Sequence, residues 1–334
     1  MPSRYLAHLA HTELLTPHLQ QSIQFFQDVM GMTLTHQEGN SAYLRCWGDP
    51  YLYSLILTEG DKPALGHAAW RTNGELELLE AVQRLEEAGH TGQWVEKSHG
   101  HGRSYRFQSP GGHQLEIFWE VEHYTAPDHL KSTYPERPQR FTGAGTAGRQ
   151  LDHITFATRD VIKDAHFYRD VLDFRFMCYN GMEDNPDQVV FGMVTTNEKA
   201  HDLALGIDFS GIPGRLHHLA FWLDSREDLL RAADILIENG VHIEYGPGKH
   251  GMGEQNYLYF REPGGVRIEL NTGGVRNYVP DWKTVVWKPS QGSNSMYRNQ
   301  GMPNSMLEAF PPANAPAAAE IDLPAPVNPW VKHG

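Results

Sequence analysis

A chain of 334 residues exceeds one ordinary core and fits about two domains, and its 40% apolar and 21% charged content is that of a globular rather than a disordered or fibrous protein. Forty-one acidic against 28 basic residues leave a net charge of −13, which repels nucleic acid and anionic membrane surfaces and favours a small or weakly charged partner. Only Cys46 and Cys178 are present, which argues against a disulfide framework or a CxxC metal site and makes buried apolar thiols the expectation. The start "MPSRYLAHLAH" carries no secretory pattern, and no stretch approaches a membrane span, so a cytoplasmic setting is expected.

Along the chain the sequence repeats itself. Residues 9–32 overlay 151–174 at an offset of 142, pairing His11 with His153 and Phe25 with Phe167. Residues 66–89 overlay 217–240 at an offset of 151, and 105–119 overlay 258–272 at 153. Within each half a second period appears: an alternating strand, a helix closed by glycine, then further strands. Leu78, Leu79, Val82 and Leu85 before Gly89, and Leu229, Leu230, Ala233, Leu236 and Ile237 before Gly240, are apolar at helical spacing with a glycine stop. Short aromatic and aliphatic runs such as "AYLRCW", "LYSLILT" and "NYLYFR" predict strands. The prediction is an α+β fold of four βαβββ modules in two tandem domains, with modules near 5–60, 64–122, 151–210 and 215–272. The domain division places an N-terminal module pair at 1–130, a Pro/Gly-rich linker at 131–150, a C-terminal module pair at 151–275 and a tail at 276–334.

The histidines raise the functional question. In "GRLHHLAFWLD", residues 214–224, His217 and His218 adjoin on a predicted strand, so they point to opposite faces. The module overlay matches His218 with His153 of "LDH" as the third residue of a strand start and leaves His217 on the other side. Glu269, in "PGGVRIEL", points inward on the same alternation. Two imidazoles and one carboxylate form a facial triad for a divalent ion with three adjacent positions open. The chain has 19 histidines, and a lone strand histidine is more often structural, so the spacing alone leaves both readings open.

The stretch 248–269, "GKHGMGEQNYLYFREPGGVRIE", resembles the fingerprint of type I extradiol ring-cleaving dioxygenases of the vicinal oxygen chelate (glyoxalase-like) superfamily, nearest to the catechol 2,3-dioxygenases. The likeness runs over about 5–285. It implies Fe(II), with Mn(II) as the alternative, on His153, His218 and Glu269, and dioxygen as co-substrate. It makes His201 of "KAHDLAL" the acid–base histidine, and His250 and Tyr259 the residues hydrogen-bonded to bound substrate and oxygen. The implied reaction opens catechol or an alkylcatechol beside a hydroxyl, giving a 2-hydroxymuconic semialdehyde-type product, and family habit implies a homotetramer. Tyr245 stands where the branch acting on homoprotocatechuate carries a cation, which favours an uncharged ring; homoprotocatechuate, dihydroxybiphenyl, a glyoxalase- or epimerase-type reaction, and metal-free ligand binding are the alternatives.

His11, His67 and Glu116 fall on the positions matching His153, His218 and Glu269, but Arg106 replaces Tyr259 and Tyr53 lies near the slot of His201. The resemblance implies no metal in the N-terminal half, and these three are read as a relic or an interface feature. "HGHGR" at 99–103 reads as a turn, and "GPGKHG" lacks the residues of a phosphate loop. Segment 278–300, aromatic and basic, is expected either to fold over the pocket or to wrap the surface.

Overall fold

The computed structural model describes residues 2–297 and 301–314. Two modules build an eight-stranded sheet: β1 (Leu6–Thr16), α1 (Leu19–Asp28), β2 (Thr33–Glu38), β3 (Ser41–Arg45) and β4 (Leu55–Glu59), then β5 (Ala64–Thr72), α2 (Glu75–Glu87), β6 (Gln93–Val95), β7 (Ser104–Gln108) and β8 (Gln114–Phe118). The second pair follows as β9 (Gln150–Thr158), α3 (Val161–Asp170), β10 (Arg175–Gly181), β11 (Val189–Thr195) and β12 (Leu203–Ile207), then β13 (Arg215–Trp222), α4 (Arg226–Glu238), β14 (Ile243–Lys249), β15 (Gln255–Arg261) and β16 (Arg267–Gly273). A further short strand, β17 (Val285–Trp287), extends its edge beside β10. All four βαβββ modules are present, and the two halves share one strand order.

The local signals behave as their chemistry requires. Asp160 and Ser225 cap α3 and α4 by accepting the backbone N–H of Lys163 and Asp228. Gly89 and Gly240 take positive φ just beyond α2 and α4, where a side chain would be strained. The apolar stripes are narrower than expected: Leu78, Val82 and Leu85, and Leu229, Ala233 and Leu236, are buried, whereas Leu79, Leu230 and Ile237 face outward. At 100° per residue these three rotate off the buried face.

In each sheet the first strands of the two modules lie side by side and antiparallel, β1 with β5 and β9 with β13. Each second-module first strand pairs in parallel with the last strand of its module, β5 with β8 and β13 with β16. This topology aligns His153, Ala220 and Glu269 across three strands, and His11, Ala69 and Glu116 across three others. Both alanines are fully buried, and their small side chains let the outer pair meet over them. The two halves pack through one continuous core, with Phe25 on Phe260, Phe26 on Phe221 and Trp70 on Phe174.

Within segment 278–297, Trp282 and Thr284 donate to carbonyls of β10, and the backbone at Ser293–Met296 bonds the loop carrying His250. Further on, Phe310 bridges to Leu216 of β13, and Pro311 and Ala313 bond Leu65 of β5, so this strap touches both halves. Residues 315–334 of the expected tail lie outside the described residues.

Candidate metal centre

Strand register brings His153, His218 and Glu269 together, with donor atoms all within 4.8 Å of one another. His153 Nε2 is 3.1 Å from Glu269 Oε2 and 3.3 Å from His218 Nε2, and His218 Nε2 is 3.0 Å from the same oxygen. All three are buried. Edges near 3 Å are what cis ligands about 2.1 Å from one ion span, so this donor set fits a divalent transition ion.

Each ligand histidine is oriented by the residue preceding it. His153 donates from Nδ1 to Asp152 Oδ2 at 2.8 Å, which turns Nε2 toward the other two donors. Asp152 is in turn held by Lys199, 3.4 Å away, which also pairs with Asp202 at 2.9 Å. His217 donates from Nε2 to the Met306 carbonyl at 2.6 Å, so its Nδ1 is left as acceptor for His218 Nδ1–H, also at 2.6 Å. That relay sets the His218 tautomer with Nε2 as lone pair. His217 does point away from the donor cluster, as the strand alternation predicts, yet it works from behind.

Burial opposes a charge on His153, but Glu269 and Asp152 beside it raise its pKa to about 9. Burial carries His218 down to about 4, only partly offset by Glu269. Burial disfavours ionised Glu269 too, but His153 holds its carboxyl well below the usual range. His201, predicted as the acid–base group, lies beside His153 with ring centroids 4.1 Å apart. Its buried Nδ1 has no hydrogen-bond partner among the described residues. Burial, and then His153, keep it well below the ordinary imidazole pKa, hence neutral at pH 7.

His250 and Tyr259 approach from the other side. His250 donates from Nδ1 to the Asn294 carbonyl at 2.6 Å, and its Nε2 accepts from the Tyr259 hydroxyl at 3.1 Å. The Tyr259 ring lies 5.2 Å from that of His218, and burial, then Glu269, push its phenol pKa up, so it stays a donor. Tyr245 is buried and stacked on Tyr257, which stacks on His250. The neighbouring cations are committed: Arg267 is paired with Glu244, and Lys199 with Asp152 and Asp202. A cleft of about 400 Å³ between the halves is lined by His8, Tyr53, Asp152, Lys199 and Arg276, but by none of His153, His218 and Glu269.

Sequence reading missed Asp152, Lys199, His217 and the carbonyls of Asn294 and Met306. The adjacent pairs Asp152–His153 and His217–His218 were a signal in plain view; the carbonyl acceptors, from distant loops, leave none. The turn read at 99–103 is present, with Ser98 and His101 bonded to each other across His99 and Gly100, but its His101 is buried against Glu116, a contact that reading did not include.

The glyoxalase/bleomycin resistance protein/dioxygenase superfamily model matches residues 8–117 and 150–270. The chain is 36% identical to a metapyrocatechase of Geobacillus stearothermophilus, over 85% of this chain and 86% of that one. It is 35% identical to a manganese-dependent 2,3-dihydroxybiphenyl 1,2-dioxygenase of Geobacillus genomosp. 3, over 85% and 90%. The solved homoprotocatechuate 2,3-dioxygenase of Arthrobacter globiformis superposes with a TM-score of 0.80 at 26% identity, over 93% of each chain. With both halves matched by the model and two relatives aligned over most of its length, the chain belongs to the glyoxalase/bleomycin resistance protein/dioxygenase superfamily.

Proposed function

We propose that the chain opens the ring of catechol or an alkylcatechol beside a hydroxyl, consuming one dioxygen per ring and giving a 2-hydroxymuconic semialdehyde-type product. His153, His218 and Glu269 would hold one divalent ion, Fe(II) or alternatively Mn(II). The observation that carries this reading is the convergence of those three donors between His201 on one flank and the His250–Tyr259 pair on the other. The likeness to a metapyrocatechase, that is a catechol 2,3-dioxygenase, supports it. When bound, the ion supplies adjacent positions for two catechol oxygens and dioxygen and lets electrons pass between them.

The chain's own groups do the rest. Neutral His201, with its unpartnered Nδ1, accepts a proton on the His153 side and, once protonated, returns it as the acid. Tyr259, kept protonated by burial, would turn its one O–H from His250 toward negative charge developing on the substrate oxygen. His250, locked by Asn294, holds that hydroxyl in place. The aromatic wall of Tyr245, Tyr257 and His250, with nearby cations already paired, suits an uncharged ring. Positioning is the main contribution, because fixing two reactants side by side is worth effective molarities of about 10⁵ M or more.

In this reading 151–275 is the catalytic pair, 1–130 a pair without catalytic metal, 131–150 the linker, and 276–334 a tail covering the site or the surface. A cytoplasmic homotetramer is part of the proposal; exposed Tyr278, Trp282, Val286 and Tyr297 give one segment the apolar surface that subunit contact would cover. No helix among the described residues is long and apolar enough to cross a membrane.

The test is anaerobic loading with Fe(II), or separately Mn(II), followed by catechol and air. Uptake of one dioxygen per catechol with a yellow product supports the proposal; metal-loaded protein that opens no diol ring defeats it. A panel of catechol, 3- and 4-methylcatechol, homoprotocatechuate and dihydroxybiphenyl sets the substrate, and a preference for the acid would defeat the argument from Tyr245. Light scattering decides the subunit number.

A further inference from the structure

We infer that the N-terminal half binds a second divalent transition ion, a structural one, through His11 Nε2, His67 Nε2 and Glu116 Oε1. These donors also lie within 4.8 Å of one another and are buried. The two imidazole nitrogens face each other at 3.1 Å, and Glu116 Oε1 is 3.9 Å from His11 Nε2.

The hydrogen bonds around the cluster turn lone pairs inward. His67 Nδ1 is 2.9 Å from Glu13 Oε2, which can only accept, so that nitrogen carries the proton and Nε2 is left bare in the neutral ring. His101 Nδ1 is 2.9 Å from the Gly102 carbonyl, so the Nε2 of a neutral His101 is bare as well. That Nε2 lies 3.1 Å from Glu116 Oε1, itself buried and without an aligned hydrogen bond among the described residues. Arg106 Nε engages only the other oxygen, Oε2, of the carboxylate. Bare imidazole nitrogens and a bare carboxylate oxygen converging in a buried space are what a cation satisfies.

Arg106 sits on the carboxylate as Tyr259 sits on Glu269, so it supports the ligand without displacing an ion. Glu13 replaces the orienting role of the preceding residue. Gly66, matching His217, leaves room for it, since a Cβ there would meet Glu13 Oε2 at 2.5 Å. A cavity of about 530 Å³ lined by Glu13, His67 and Arg106 gives an entry path.

The ion would be structural because the flank that His201, His250 and Tyr259 leave usable in the other half is filled here. Tyr53 packs edge-on to His11 at 5.1 Å, and His101 stacks on Phe118 at 4.5 Å, with Phe118 against His11. Two imidazoles and a carboxylate suit zinc or cobalt. The ion would tie β1, β5 and β8 together.

The probe is Co(II), titrated into chelator-stripped full-length protein and read by metal analysis after gel filtration and by visible ligand-field absorption. Two ions per chain are expected for the wild type, one for His153→Ala/His218→Ala, and one for His11→Ala/His67→Ala. Should the last variant not fold, the first still decides. No ion in a folded His153→Ala/His218→Ala protein overturns the inference and means that a proton shared by His11 and His67 fills the cluster. A second ion that persists in His11→Ala/His67→Ala overturns it as well, since it would sit elsewhere.

Discussion

Both halves carry two histidines and a glutamate on the same three strand positions, and they differ in what stands behind and beside them. In the second half each ligand histidine is aimed by the residue before it, Asp152 or His217; in the first half those residues are Ala10 and Gly66, which have nothing to offer. The second half leaves one flank lined by His201, His250 and Tyr259, the groups proposed to handle protons, while the first fills it with Tyr53 and Phe118. On the proposed function, then, a ligand triad alone does not confer the chemistry. The sharpest way to break the comparison is to make one isosteric change in both halves. Glu269→Gln should lower kcat/KM by about 10³-fold or more, past the ~10–100-fold typical of outer-shell changes. Glu116→Gln should leave it within about threefold, because distant sites add independently. Equal losses measured by oxygen uptake would mean that the halves share the chemistry.

The next largest effects lie on the open flank. His201→Asn and Tyr259→Phe should each lower kcat by about 10²–10⁴-fold with metal content unchanged, as expected when a proton carrier or a charge-stabilising donor is lost. A change confined to KM would reassign them to substrate binding. Behind the metal, His217→Ala should weaken metal affinity by about 10–100-fold, since His218 loses the partner that sets its tautomer. Titration of the stripped variant with Fe(II) or Co(II) measures this, and unaltered affinity would leave His217 a bystander.

The modules, their tandem order and the converging triad could be read because duplication preserves register, and register alone fixes which strand residues meet. Gly89 and Gly240 marked their helix ends because positive φ excludes most other residues. What could not be read depends on loops arriving from far along the chain: Asn294 and Met306 act through carbonyls, which every residue has. The turn around His101 could be read, but not the burial of its side chain, which is set by the path of a loop rather than by a strand period. Leu230 and Ile237 misled in the other direction, apolar yet exposed, because hydrophobicity marks a face only in company with neighbours on it.

A second twofold comparison lies where the halves pack, and it carries the smallest predicted effect. In one copy Glu262 accepts from Ser22 and from the backbone N–H of Gly264 and Val266, with Thr16 beside Ser22. The overlay maps Thr16, Ser22 and Glu262 onto Thr158, Asp164 and Ser109, so the carboxylate has moved from a turn to a helix. Asp164 is buried and accepts from Thr158 Oγ1 at 2.6 Å, but it lacks the backbone donors that Glu262 has. Burial therefore raises its pKa from 3.8 to about 6, against the Thr158 bond. A raised carboxyl pKa means that the folded state binds the extra proton between pH 4 and 6, so stability falls as pH rises through that window and the penalty is complete above it. Asp164→Asn keeps an acceptor for Thr158 without the charge. It should raise unfolding free energy by about 2 kcal/mol at pH 7.5 and by almost nothing at pH 4. Urea midpoints at the two pH values measure the difference. A gain of equal size at both would trace it to packing, and a loss at pH 7.5 would mean that the charged carboxylate is satisfied there after all.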